Sequence, residues 1–126
     1  MRYSNVDYAV VYVDPSKSSG GDGSTPAKAM NALPSSAGDF ADNVCYLVRR
    51  PAEDKACTIP NGTNYGITNL MIVGMPLASD PMWELVPAEA RTAWGSDSAQ
   101  YANVQMATAS GSFQMNYAQH FVLHRV

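Results

Sequence analysis

Asp14, Asp22, Asp39 and Asp42 are the first residues along the chain whose type and clustering suggest chemistry, and that chemistry would be calcium binding. A calcium loop spaces its oxygen ligands closely and regularly, and Asp14 to Asp22 lacks the intermediate acidic ligands. Asp is more often a turn or cap residue, so a turn role is expected for all four. The two cysteines and two histidines, Cys45, Cys57, His120 and His124, sit in unrelated contexts rather than at zinc-ligand spacing. Gly20-Gly21-Asp22-Gly23 is not followed by the Gly-Lys-Ser/Thr of a phosphate loop. The many serines include no Gly-x-Ser-x-Gly elbow. Asp80, Glu84 and Glu89 lie near Trp83 and Trp94, as carboxylates and aromatics do in sugar sites. Glycoside cleavage needs two carboxyls held about 5–9 Å apart, so spacing along the chain does not establish it. Solvated carboxylates and packing tryptophans are the expected roles. His120 and His124 share one face in a strand or a helix, but they lack a third partner and are expected to be structural. No catalytic residue, metal or cofactor is expected.

Composition narrows the classes further. The chain has 126 residues, of which 15% are charged and 46% hydrophobic, with a formal net charge of −3. Its charged fraction is well below the roughly one quarter usual for soluble domains. Eight Lys and Arg against eleven Asp and Glu argue against nucleic acid as a partner, because neutralising phosphates takes clustered Lys and Arg. The apolar run Tyr8–Val13 stops at Asp14-Pro15, too short for the core of a signal peptide. Leu70–Val73 runs straight into Gly74, so no membrane span is expected. Synthesis and retention in a cytoplasm follow as the simplest expectation. Two cysteines make no disulfide framework, and buried, reduced side chains at strand positions are expected.

The charges are also unevenly placed. From Ser98 to His124 there is no Asp, Glu, Lys or Arg, only amides, small residues, aromatics, Met and the two His. Such a stretch suits stacked strands with side-chain ladders, or a surface buried against another chain. Either way the chain is expected to have partners.

Val10–Val13 reads as a first strand, and Ser18–Gly23 as a turn-rich loop. Thr25-Pro26 opens a short helix through Leu33, with Ala27, Met30 and Leu33 on one face and Pro34 as its stop. Val44–Val48 is the clearest strand. Ala56–Ile59 and Ile67 with Leu70–Val73 follow, separated by the Pro60-Asn61-Gly62 turn. Pro87–Trp94 reads as a two-turn helix ended by Gly95 within an insertion anchored by Trp83, Leu85 and Trp94. Strands return at Tyr101–Met106, Phe113–Met115 and Phe121–Leu123. A single domain is expected, divided into 1–43 as a capping region, 44–76 as first coils, 77–100 as an insertion and 101–126 as further strands.

The order of strand, Asp-Pro, Gly-Asp-Gly, Pro-started helix and strand resembles the N-terminal region of right-handed parallel β-helix proteins. These are the pectate-lyase-like proteins and the tail spikes and fibres of bacteriophages. Val11–Pro15, Gly21–Pro26 and Asp42–Val48 carry the resemblance, and Ile67–Gly74 looks like a following rung. It implies a mainly β fold: the start of a right-handed parallel β-helix or solenoid, with a short capping helix and a small helical insertion. It also implies either a segment of a longer fibre-like chain or a subunit capped by partners. No catalytic carboxylate of the family can be carried over to this chain.

The expected function is therefore non-enzymatic: a structural or attachment component of a bacteriophage virion, such as a tail fibre, tail spike or head-associated protein. It would be assembled in the host cytoplasm into an oligomer, with other virion proteins or copies of itself, and with a host-surface glycan as a further partner. The residues expected at interfaces or against glycan are Tyr101, Phe113, Tyr117, His120, Trp83 and Trp94, since amphipathic aromatics favour such surfaces. The alternative readings are a carbohydrate-active β-helix enzyme (polysaccharide lyase or glycoside hydrolase) and a secreted bacterial adhesin.

Overall fold

A computed structural model describes residues 1–50, 57–96, 104–106, 112–116 and 119–124. The chain opens with a hairpin the sequence reading did not anticipate, β1 (Arg2–Tyr3) against antiparallel β2 (Val6–Asp7). Ser4 and Asn5 turn it, both at positive φ (49° and 65°), the backbone that a tight two-residue loop requires. Then come β3 (Ala9–Val13), β4 (Val44–Val48), β5 (Thr58–Ile59), β6 (Gly62–Tyr65) and β7 (Thr68–Gly74). A 3-10 turn at Pro81–Leu85 and the helix α1 (Ala88–Trp94) precede β8 (Gln105–Met106), β9 (Phe113–Asn116) and β10 (Gln119–His124).

The apolar strands form one four-stranded sheet, in the order β10-β7-β4-β3, and every pairing in it is parallel. All five residues of β4 are buried, as are Leu70–Gly74 of β7. Continuous burial is what a strand covered on both faces requires, and it explains why these segments read as unbroken hydrophobic runs. Val13, Val44, Tyr46, Val48, Leu70 and Ile72 pack into one core with Leu33, Phe40, Ile59, Ile67 and Val104. The alternate side chains, Tyr12, Cys45, Leu47, Met71 and Val73, pack into a second core with Met82, Val86 and Ala90 of the 77–96 region. The helix α1 fulfils the reading at Pro87–Trp94, with its Ala90 buried in that second core.

The expectation of a right-handed parallel β-helix is corrected by these strands. The described residues form a small mixed fold, 15% helix and 34% strand, with short strands in small parallel and antiparallel sheets. Outside the central sheet each described sheet has two strands only: β1-β2, β5-β8 and β6-β9. Several of these strands are two residues long. A lone parallel rung in a favourable pattern does not fix a whole architecture, because pairing partners are set by long-range contacts.

The expected capping helix over Thr25–Leu33 is a second correction. Thr25 Oγ1 does accept from the Lys28 amide (3.2 Å), but the turn does not propagate. Instead Met30 is extended and bridges Val13 in parallel. Its amide donates to the Tyr12 carbonyl (2.9 Å), and its own carbonyl accepts from the Asp14 amide (2.7 Å). The Tyr12 amide in turn donates to the Gly23 carbonyl (2.9 Å). A helix this short is marginal by itself, so the unpaired groups along the outer edge of β3 win the segment. The loop therefore seals that edge of the sheet.

Gly21 and Gly23 allow the loop to lie this close. Their amides donate to the carbonyls of Ala29 and Lys28, and Gly23 sits at φ +80°. A Cβ on Gly21 would meet the Lys28 carbonyl oxygen at 2.4 Å, a backbone atom that cannot swing aside. Gly21→Ala is expected to lower stability by about 1–3 kcal/mol, read as a lower urea midpoint with an unchanged slope.

Candidate assembly surface at the last strand

A row of side chains crosses the central sheet. Val11 of β3, Tyr46 of β4, Ile72 of β7 and Leu123 of β10 are successive register partners. Tyr46 is 4% exposed and Ile72 0%, whereas Leu123 is 46% exposed. The apolar row thus runs from the core to an uncovered leucine on the outermost strand. Among the described residues, β10 pairs with β7 alone, and β8 and β9 pair only with β5 and β6. The two edges of the central sheet differ: the β3 edge is sealed by Gly23 and Met30, and the β10 edge carries no described strand.

Beside Leu123 the strand is fastened on its other face. Val122 packs against the second core, and His124 Nε2 lies 2.7 Å from Asp80 Oδ2. Asp80 Oδ1 also accepts from the Met82 amide (2.9 Å), capping the 3-10 turn. One carboxylate therefore ties the uncharged last stretch to the region after β7, across 44 positions of sequence. Nothing in the spacing signalled this contact. Asp80→Ala removes both partners at once and is expected to cost about 1–3 kcal/mol in a thermal or urea melt. Glu84→Ala, whose exposed carboxylate is 3.8 Å from Arg91, should change stability very little.

The residues singled out from the sequence divide as follows. Phe113 of β9 is half-buried against the first core and meets the Phe40 ring edge-on at 5.2 Å. Trp83 packs on the second core and carries the Arg91 guanidinium over its ring at 5.9 Å. Trp94 meets Tyr12 edge-on at 5.5 Å, and Tyr12 Oη donates to Glu89 Oε1 at 2.8 Å. Phe113, Trp83 and Trp94 are therefore packing anchors before they are contact residues. The backbone of His120 lies in β10, between the register pairs Gln119–Thr68 and Phe121–Leu70. Tyr101 and Tyr117 lie outside the described residues. Leu123 was not among the expected contact residues; its place at the end of the apolar triplet Phe121–Leu123, inside the charge-free stretch, was the available signal.

Three of the four aspartates considered for calcium, Asp14, Asp22 and Asp42, hold backbone instead. Asp14, nearly buried, accepts from the Ser16 amide (3.0 Å) and pairs with Arg49 (3.2 Å). Asp42 accepts from the Thr68 amide (2.8 Å), and Asp22 from the amide and hydroxyl of Ser24, which hold its carboxyl below the ordinary range. Among the described residues no three His, Cys, Asp or Glu side chains gather as a metal site would require. Cys45 and Cys57 are both buried and free, and they belong to the two different cores, with the sheet between them. Burial pushes each thiol up to about 12, so neither is a nucleophile at neutral pH. No described helix is long and apolar enough to cross a membrane.

A pair of amides joins the starts of β4 and β7. Asn43 and Asn69 occupy the same register position on adjacent strands, both at positive φ (56° and 57°), and Asn69 Nδ2 donates to Asn43 Oδ1 at 2.7 Å. Asparagine tolerates this conformation better than most residues, which accounts for its use at both positions. No family model, no curated protein and no solved structure matches the chain.

Proposed function

We propose that the protein is a non-enzymatic structural component that works by assembly with other chains through its last strand. The observation that carries this reading is the exposed Leu123 on an edge strand drawn from a stretch, Ser98–His124, without one charged residue. Edge strands that stay solvated are ordinarily protected by charge, proline or a covering segment, as β3 is here. The residue pattern that resembles bacteriophage spikes and fibres makes a virion the proposed setting, as a fibre, spike or head-associated protein. Its partners are then other virion chains or copies of itself, with host-surface glycan as a further contact.

Sedimentation of the purified chain and of the native extract tests the reading. Expected is a species heavier than the 13.5 kDa monomer in at least one of them. A monomer in both, at micromolar concentration, overturns it. Glycan turnover by the protein that is abolished by Asp80→Ala or Glu84→Ala would overturn it in favour of the enzyme reading.

A further inference from the structure

We propose that the β10 edge is closed by a second copy of this chain, edge to edge across a twofold axis, giving one continuous sheet from the two four-stranded halves. The inference rests on the assembly reading above and names the partner. Three observations select a second copy. First, the strand itself, Gln119–His124, contains no Asp, Glu, Lys or Arg, so two copies of it meet without like-charge repulsion. Second, the β3 edge is occupied by Gly23 and Met30, so the β10 edge of one copy cannot dock on the β3 edge of the next. Head-to-tail growth is blocked, and an isologous contact that pairs like with like closes at two. Third, the row Val11, Tyr46, Ile72, Leu123 ends on an exposed leucine, and a facing strand would bring a second Leu123 surface to cover it. Under a twofold axis normal to the sheet the two β10 strands run antiparallel, a pairing that needs no long crossover between them.

Light scattering on the full chain across a dilution series reads the stoichiometry. The expected result is a particle of twice the 13.5 kDa monomer mass that dissociates on dilution. Leu123→Lys should weaken it at least about tenfold, because a lysine on an edge strand opposes pairing. Leu123→Gln, which adds no charge, should weaken it less, and mixing Leu123→Lys with Leu123→Glu chains should restore pairing. Hydrogen exchange needs no variant: amide protection within Gln119–His124 should rise with concentration. A wild-type chain that stays monomeric, an open-ended series of larger oligomers, or a Leu123→Lys chain as dimeric as wild type each overturns the proposal. A monomeric purified chain that co-sediments with different chains in native extract overturns the twofold pair and leaves the assembly reading standing.

Discussion

Leu47→Ala is expected to cost about 2–5 kcal/mol of folding stability, the range for emptying a well-packed leucine site. Leu47 is fully buried in β4, one of the two central strands with a parallel neighbour on each side. Its register partners are Tyr12 on β3 and Val73 on β7, and its side chain joins the second core with Ala29, Met71 and Val86. Because hydrogen-bonded strands hold the backbone on both sides, the surroundings cannot close over the missing atoms, which favours the upper part of the range. Domains are stable by about 5–15 kcal/mol, so this single change removes a large share of the total. Urea denaturation checks it, with Leu85→Ala as the reference at a partly exposed leucine, where about 0.5 kcal/mol or less is expected. A loss at Leu47 no larger than at Leu85 would remove the case for two cores on one sheet.

The second large effect is alkaline unfolding. The thiols of Cys45 and Cys57 are pushed from an ordinary 9.0 up to about 12 by burial, and burial also raises the phenols of Tyr8, Tyr12 and Tyr46. For Tyr12 the hydrogen bond donated to Glu89 adds to the rise. The folded protein must keep these protons, whereas the unfolded chain releases them near the ordinary values. Their contribution is therefore complete below about pH 9 and is lost as pH climbs towards 12. Each retained thiol proton costs about 1.4 kcal/mol per pH unit across that window. The two thiols together would remove about 5 kcal/mol by pH 11, the lower end of the usual range of about 5–15 kcal/mol, so the urea midpoint is expected to fall steeply between about pH 9 and 11. Urea midpoints measured from neutral pH upwards check the slope. Replacing both cysteines by alanine should make the decline shallower, and an unchanged decline would assign it to other groups.

The same two residues illustrate what a sequence can and cannot convey. Cys45 and Cys57 read as small buried hydrophobes because each sits in or beside a short apolar strand with no framework of other cysteines, and both are buried and free. That they cannot meet depends on which face of the sheet each one takes. Alternation along β4 sends Cys45 to the second core, while Cys57 joins the first. The helix of the 77–96 region was equally legible, because Pro87 and Gly95 mark its limits locally. The Thr25–Leu33 helix was not, although it had the same kind of start signal. Its competitor was the open edge of β3, which lies far from those residues in any local window.

The strands of the central sheet follow from their residues alone, since β-branched and aromatic runs of five to seven residues have few other ways to bury both faces. So does the charge-free stretch from Ser98 to His124, which is a property of composition. The order of the strands, the sealing of one edge by Met30, the tie between Asp80 and His124 and the exposure of Leu123 belong to the tertiary structure. Each of these joins residues far apart in the chain, and such contacts are decided by which unpaired backbone and apolar surfaces remain once the local elements have formed. The sequence set the materials of the surface, and packing determined which edge was left to carry them.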